Sequence, residues 1–479
     1  MKHTDLRPLL LGVLVSALSA CAVGPDYKQP DAPVAPVYKE AGDWLSATPN
    51  DEAQRGAWWQ AFQDPQLNAL LEQVDVSNQT LMQAEAQYRQ ATALLRQTRA
   101  GFLPTVGVDA SVQRAGGNNG SSTVTNIGNR YSLSADASWE LDLWGRVRRS
   151  VEASAANAKA SAADLASVRL STQAQLAQSY FLLRVTDEQK RLLDETVTGY
   201  DRSLQLTQNQ YNVGVAAKAD VVQAQSQLKS AQAQAIDTGI QRAQLEHAIA
   251  VLVGKTPAEF SIAPEKLLAV IPPASPPGVP STLLQRRPDI AAAERRMAAA
   301  NAQIGVAKAA YFPSLTISAS GGFQSSSFSD WISLPNRFWS VGPSAALTLF
   351  DGGARSAQTD QAVAAYDQNV AVYRQTVLGA FQEVEDNLVA LHLLEQEAQV
   401  QEEAVAAAQS VVTITTNQYK AGTVNFLNVV VAQNAAYSAQ RSALTILNSR
   451  LAASVGLIKA LGGNWKADEE NSSAGIKGE

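Results

Sequence analysis

The sequence predicts a mixed fold in which very long α-helical hairpins join pairs of β-strands, all of it present twice in one chain. Three observations predict it. A tip sequence, Thr207-Gln208-Asn209-Gln210-Tyr211-Asn212-Val213-Gly214, returns about 208 residues later as Thr415-Thr416-Asn417-Gln418-Tyr419-Lys420-Ala421-Gly422. Two runs almost free of Gly and Pro, Arg146 to Val213 and Ala354 to Ala421, lead into those tips. Each run follows a segment in which apolar and polar residues alternate with period two.

Each tip is a glycine inside an otherwise continuous helical pattern, with Asp220-Val221-Val222-Gln223-Ala224-Gln225 or Asn428-Val429-Val430-Val431-Ala432-Gln433 resuming at once. That is the signature of a helical hairpin. Helices on the order of 100 Å without a globular core must pack along other long helices. The Ala-rich start at Ala153, Ala155, Ala156, Ala158 and Ala160 allows close approach.

The start of the chain reads as an export signal over 1–20. Lys2 and Arg7 precede an apolar run, Leu9 to Leu18, too short to span a bilayer. It ends in Leu18-Ser19-Ala20-Cys21, which resembles a bacterial lipoprotein processing site with acyl chains on Cys21. An incidental cysteine is the plain alternative. Cys21 is the only cysteine of the chain, so no intramolecular disulfide forms. Several acyl chains would anchor the protein stably where one would not. Ala22, where Asp would suggest inner-membrane retention, implies by the same resemblance an outer-membrane destination.

Residues 21–60 form a Pro-rich tether that wraps the body. The first repeat, 61–255, opens at Asp64-Pro65, an N-cap followed by Pro at the first helical position. This helix is expected to run unbroken to about Gly101. After Pro104 the period changes. Val106, Val108, Ala110 and Val112 alternate with polar residues, as do Tyr131, Leu133, Ala135, Ala137, Trp139, Leu141 and Leu143 beyond a Gly/Asn/Ser loop. A half-buried soluble sheet gives the same pattern. The strand lengths, with Phe102, Tyr131 and Trp144 near the ends, favour a membrane barrel whose polar face (Asp109, Asp136, Glu140, Asp142) lines water. Residues 256–280 hold seven of the nineteen prolines and link the halves. The second repeat, 281–463, has a helix from Leu283 to about Tyr311, strands through Leu315, Ile317, Ala319 and through Trp339 to Leu349, and the second hairpin. The tail, 464–479, is expected to be disordered.

Four strands cannot close a bacterial barrel, and open edges are not viable in lipid. Several copies must therefore pool their strands; dimer and trimer both satisfy this argument. A net charge of −6 without a basic aromatic patch argues against nucleic acid as a partner. His3, His247 and His392 are scattered, with no metal-ligand spacing and no nucleophile–base pair, so neither a cofactor nor an enzymatic activity is expected.

The order of elements, together with Cys21-Ala22-Val23-Gly24-Pro25-Asp26-Tyr27, Trp58-Trp59 with Phe62 and Asp64-Pro65, Arg287-Pro288-Asp289-Ile290 with Glu294, and the Tyr-x-x-Gly tips, resembles the TolC-like outer-membrane efflux proteins, in their NodT-type lipoprotein branch. The resemblance covers nearly all of the mature chain. It implies a homotrimer whose twelve strands close one transmembrane β-barrel, four per chain, continued by a periplasmic α-helical coiled-coil barrel. It further implies a lipid-anchored outer-membrane location, a periplasmic adaptor (membrane-fusion) protein at the tips, and an inner-membrane transporter that supplies the energy. The channel itself is passive. Adaptor contact maps onto Val213, Gly214, Val215, Ala216, Ala421, Gly422 and Thr423, although Gly214 and Gly422 can also be simple helix stops. The periplasmic gate of the family maps onto Asp220, Tyr419, Val424, Leu427, Asn428 and Val431. Its latch Asp and Tyr stand as Asp220 and Tyr419, its latch Arg is Val424, and its two acidic rings are Asn428 and Val431. Asp220 has a plainer reading, a hydrogen bond within its own turn. The expected cargo is small toxic molecules. Alternatives are a same-fold conduit for metal ions or a type I secreted protein, and a non-channel coiled-coil envelope lipoprotein. Methionine limited to Met1, Met82 and Met297 argues against soft metals.

Overall fold

The computed structural model describes residues 23–32, 34, 37–41, 57–117, 126–265 and 287–463. The segment expected to be an export signal, Cys21, most of the expected linker and the expected disordered tail lie outside them. Two units emerge. The first holds the described residues of Met1–Asp31, Gln87–Ala162 and Ala292–Arg374; the second holds those of Ala32–Ala86, Ala163–Ala291 and Gln375–Glu479.

The elements in order are α1 (Pro65–Ser77), α2 (Gln79–Arg99), β1 (Thr105–Gly117), β2 (Asn126–Leu141), α3 (Arg146–Asn212), α4 (Lys218–Leu252), α5 (Pro288–Ala309), β3 (Ser314–Ser325), β4 (Arg337–Ala346), α6 (Ala354–Lys420) and α7 (Phe426–Ala460). The duplication is visible in the lengths: α3 and α6 each have 67 residues, α4 and α7 each 35. No described helix is long and apolar enough to cross a membrane.

In the second unit, the Asp64 carboxylate accepts from the N–H groups of Gln66 (2.9 Å) and Leu67 (3.0 Å) and so starts α1. A short turn, Trp58–Phe62, buries its three aromatics against Leu67, Leu71, Leu176 and Phe181. The same core takes Ile249 from α4 and Leu451 and Val455 from α7, so both repeats share it. Arg184 is buried under it. Its guanidinium lies over the Tyr180 ring and donates to Asp187 (3.2 Å) and the Ala263 carbonyl (2.9 Å), while Tyr180 donates to Asp64 (2.7 Å).

The helix expected to run from Asp64 to Gly101 is instead two. Asn78 adopts extended backbone, ends α1 and caps α2, accepting from Leu81 N–H at 2.9 Å. The break has a purpose in packing. Asn78 Nδ2 donates to the Leu252 carbonyl and Ser77 Oγ to the Val253 carbonyl, both at 2.7 Å, which satisfies the C-terminus of α4. The second repeat solves the same problem with charge. Arg287 donates to the Ala460 carbonyl (3.1 Å), the equivalent end of α7, and pairs with Asp289 (2.6 Å) and Glu383 (2.7 Å). Burial alone would lower the Arg287 guanidinium, but the two carboxylates outweigh it and hold it above its ordinary value. A second difference from expectation is shorter: β4 stops at Ala346 and leaves Leu347 and Leu349 outside the ladder.

In the first unit, the four strands form one antiparallel sheet in the order β1-β2-β3-β4. Several rows join like with like. Val106 faces Ala137, which faces Ala319, which faces Val341; Asp109 faces Ser134 and Asp136 faces Ser320. Asp142 starts α3 by accepting from Val147 and Arg148 N–H, both at 2.8 Å, and Asp351 does the same for α6 through Arg355 N–H at 3.2 Å. A strap of extended chain is docked here. Val23 N–H donates to the Trp144 carbonyl (3.0 Å), Arg149 pairs with Asp26 (2.8 Å), Asn301 donates to the Pro25 carbonyl (3.0 Å), and Tyr27 donates to Glu294 (2.7 Å). Gly24, at φ 109°, lies so close to Gly305 that a Cβ on it would stand 2.5 Å from the Gly305 Cα.

Candidate functional site

Three surfaces stand out: the apolar face of the sheet, the hairpin tips, and the helix faces next to the tips.

The sheet presents one apolar face, and that face is exposed. Val108 is 76% and Trp339 78% accessible. No side chain from the described residues covers the row Val106, Val108, Val112, Val341, which fits a surface whose solvent is hydrocarbon. At its helix end, Trp139 donates to the Phe102 carbonyl (3.0 Å) and Trp144 to the Pro313 carbonyl (2.7 Å) while stacking on Phe312. Aromatics with satisfied N–H groups at the rim suit a membrane interface. The outer edges of β1 and β4 have no strand partner among the described residues.

Both tips have the same construction. Gly214 N–H donates to the Tyr211 carbonyl (2.9 Å) and Val215 N–H to the Gln210 carbonyl (2.8 Å); Gly422 N–H donates to Tyr419 (3.0 Å) and Thr423 N–H to Gln418 (3.0 Å). This bond pair is the Schellman motif, and it puts the two glycines at φ 80° and 77°. The surfaces differ. Val213 (75% accessible) and Val215 (68%) make the first tip apolar, whereas Ala421, Gly422 and Thr423 make the second small and polar. Ala216 is half-buried.

The gate positions are brought together only in part. Tyr419 is buried against Phe426, with ring centroids 5.4 Å apart, beside Ala224, Val429, Val430 and the half-buried Val424. Its hydroxyl donates to Thr207 Oγ1 at 3.3 Å. Burial raises that hydroxyl above its ordinary value; Thr207 lowers it, and the Asp220 charge adds to the rise. Asp220 is occupied elsewhere, accepting from Ala217 N–H at 3.3 Å as a cap for α4. The turn-internal reading of Asp220 therefore describes its bond within one chain, and Asp220 and Tyr419 share no hydrogen bond. In the second hairpin the cap is Asn425, whose side chain accepts from Asn428 N–H at 3.3 Å. Leu427 and Val431 stand one turn apart on one face of α7, 56% and 60% accessible. Asn428 is exposed beside them. Cys21 lies outside the described residues. Among those residues no cluster of three or more His, Cys, Asp or Glu side chains has the arrangement of a metal site.

Sequence reasoning missed the two side-chain joints at Asn78 and Arg287. Ser77-Asn78 was the available signal, since both residue types favour helix starts, but without a Gly or Pro the periodicity carried straight through it.

Comparison with known proteins agrees with this geometry. The family model described as outer membrane efflux protein matches residues 70–255 and 279–463, once per repeat. The probable efflux pump outer membrane protein TtgC of Pseudomonas putida is 33% identical over 477 residues, 98% of each chain. The cation efflux system protein CusC of Escherichia coli is 29% identical over 453 residues, 94% of this chain and 97% of CusC. The solved outer-membrane channel OprN superposes with a TM-score of 0.85 at 33% identity, over 92% of this chain and 99% of that one. With both repeats matched by the family model, and strands and hairpins laid out as in a solved member, the chain belongs to the outer membrane efflux protein family.

Proposed function

We propose that this protein is the outer-membrane channel of a tripartite efflux system, anchored through lipid on Cys21 and working as a homotrimer. The observation that carries the reading is the open sheet of the described residues: four strands, an exposed apolar face and two edges without a strand partner among those residues. Barrels of this kind need at least eight strands, and a bilayer tolerates no open edge, so copies have to pool strands around a shared pore. The solved relatives are outer-membrane channels, which supports a conduit and no chemistry of its own. The inner-membrane transporter provides the energy, and the periplasmic adaptor docks on Val213–Ala216 and Ala421–Thr423. The cargo is small toxic molecules.

At the periplasmic end, closure in this chain rests on packing. With Val424 where a latch arginine would stand, and Asn428 and Val431 where acidic rings would, Leu427 and Val431 offer an apolar constriction that excludes water and ions by dewetting.

Two measurements test the reading. The detergent-purified protein should sediment as three chains and conduct when reconstituted in a planar bilayer; a monomer whose strands are open to aqueous proteolysis refutes it. A deletion strain should become sensitive to several small toxic compounds and regain resistance with the gene restored. Sensitivity confined to copper or silver would move the cargo to metal ions.

A further inference from the structure

The apolar face of the sheet changes character at the end away from the helices. Cross-strand register puts Ala110, Leu133, Phe323 and Arg337 in one row, Val112 and Tyr131 in the next, and Arg114 with Asn129 in the one beyond. From Leu141 up to Val112 the rows on this face hold no other charged residue. Two exposed guanidinium groups therefore share a face that is otherwise uncharged, and neither pairs with a carboxylate among the described residues. The remaining arginine at this height, Arg130, sits opposite Gln113 on the other face.

Height matters here. At ~3.4 Å per residue and a tilt of ~40°, the eight residues of β2 from Leu141 to Leu133 rise ~20 Å along the membrane normal, and the twelve from Leu141 to Asn129 rise ~30 Å. A barrel's apolar band is ~25 Å tall. Arg337 and Arg114 thus bracket its outer boundary, where a long cationic side chain reaches headgroups while its stem stays in the apolar layer. The loop between β3 and β4 leans to the same side. Phe328 and Trp331 pack on Tyr131, with centroids 5.5 and 6.0 Å away, and Phe328 remains exposed. The loop's carboxylate, Asp330, accepts from the hydroxyls of Ser327 and Ser329.

We propose that Arg114, Arg337 and the aromatics Tyr131, Phe328 and Trp339 form a binding site for a phosphorylated, multiply acylated lipid of the outer leaflet. Guanidinium groups take the phosphate by paired hydrogen bonds, and the acyl chains lie along the exposed aromatic and valine rows. Continuity with the hydrocarbon-facing band is what selects a lipid over a soluble anion. This rests on the channel reading above, which also explains the placement: β1 and β4 are the sheet's two edges, so a ring of copies sets Arg337 on one side of each seam and Arg114 on the other.

The test uses the full-length protein inserted into phosphatidylcholine vesicles and titrated with bis-phosphorylated lipid A or its dephosphorylated form. Wild type should bind the phosphorylated form at least about tenfold more tightly, the scale of one or two charge-assisted hydrogen bonds. The double variant R114Q/R337Q should bind both forms alike, and R130Q should behave as wild type. Equal binding of the two forms by wild type, or an equal loss in R130Q, overturns the proposal and leaves the channel reading standing. Failure of wild type to insert at all overturns both.

Discussion

Removing the charged joint at the end of α7 should loosen that end and little else. In Arg287→Met the Ala460 carbonyl loses a donor at 3.1 Å, and the Asp289 and Glu383 carboxylates lose their cation. A hydrogen bond to a charged group contributes about 1.5–3 kcal/mol. The ion pairs add less, because the Asp289 and Glu383 side chains are 32% and 49% exposed and recover water, leaving about 0–1 kcal/mol for them. The local cost is therefore about 1.5–4 kcal/mol. At about 1.4 kcal/mol per decade, amide exchange in the last turn of α7 should accelerate roughly 10- to 700-fold. The repeat supplies its own control. Asn78→Ala removes a neutral bond to the Leu252 carbonyl and a helix cap, about 2 kcal/mol together, and should loosen the end of α4. The two joints are separated by salt: raising NaCl to about 1 M should weaken the Arg287 joint and leave the Asn78 joint unchanged, because only the first is ionic. Exchange within threefold of wild type in Arg287→Met, or identical salt responses at both joints, would refute the assignment.

Four further outcomes follow from the same geometry. Burial and the adjacent Glu294 raise the Tyr27 hydroxyl above its ordinary 10.0; a group raised on folding contributes fully below that value and loses its contribution as pH climbs through the folded one. Protease protection of the strap should hold to about pH 10 and decline above it, and Tyr27→Phe should abolish the decline. Gly214→Ala and Gly422→Ala place a side chain at positive φ, a cost of about 1–2 kcal/mol confined to the tips; if the proposed adaptor docks there, they should reduce crosslinking to it without lowering the melting temperature of the protein. Asn428→Asp should turn weak ion selectivity into clear cation preference in single-channel recordings; strong cation preference in the wild type would defeat the apolar-gate proposal. Cys21→Ser should abolish palmitate incorporation.

What the sequence made legible was set by how local each cause is. The tips were readable because a Schellman turn is a purely local demand: Gly at one position and helix on either side. The strands were readable because period two and the change at Pro104 and Pro313 need no knowledge of neighbours. The interruption at Asn78 was not, because its reason lies 174 residues away, in the carbonyl of Leu252. The strap's course was equally hidden. Nothing in a Pro-rich segment announces that Gly24 must meet Gly305, or that Arg149 will collect Asp26. The candidate gate was legible as substitutions and, for Asp220, as a bond within its own turn; the Tyr419 contact with Thr207, 212 residues away, was not.

The two repeats agree in the backbone of their hairpins and diverge in the side chains that close helix ends and cover the tips. The lengths of the hairpin helices and the Schellman turns at their tips are matched residue for residue, because both satisfy the same backbone groups at the helix ends. The joints and caps, by contrast, are Asn against Arg and Asp220 against Asn425. The tips are Val213 and Val215 against Ala421 and Thr423. On the adaptor-docking proposal, the apolar first tip and the small, polar second tip are two distinct docking surfaces on a shared frame. Exchanging Val213 and Val215 with Ala421 and Thr423 should preserve trimer stability while disrupting adaptor binding. Unchanged adaptor binding in the exchanged protein would show that the tips are interchangeable and that their divergence carries no function.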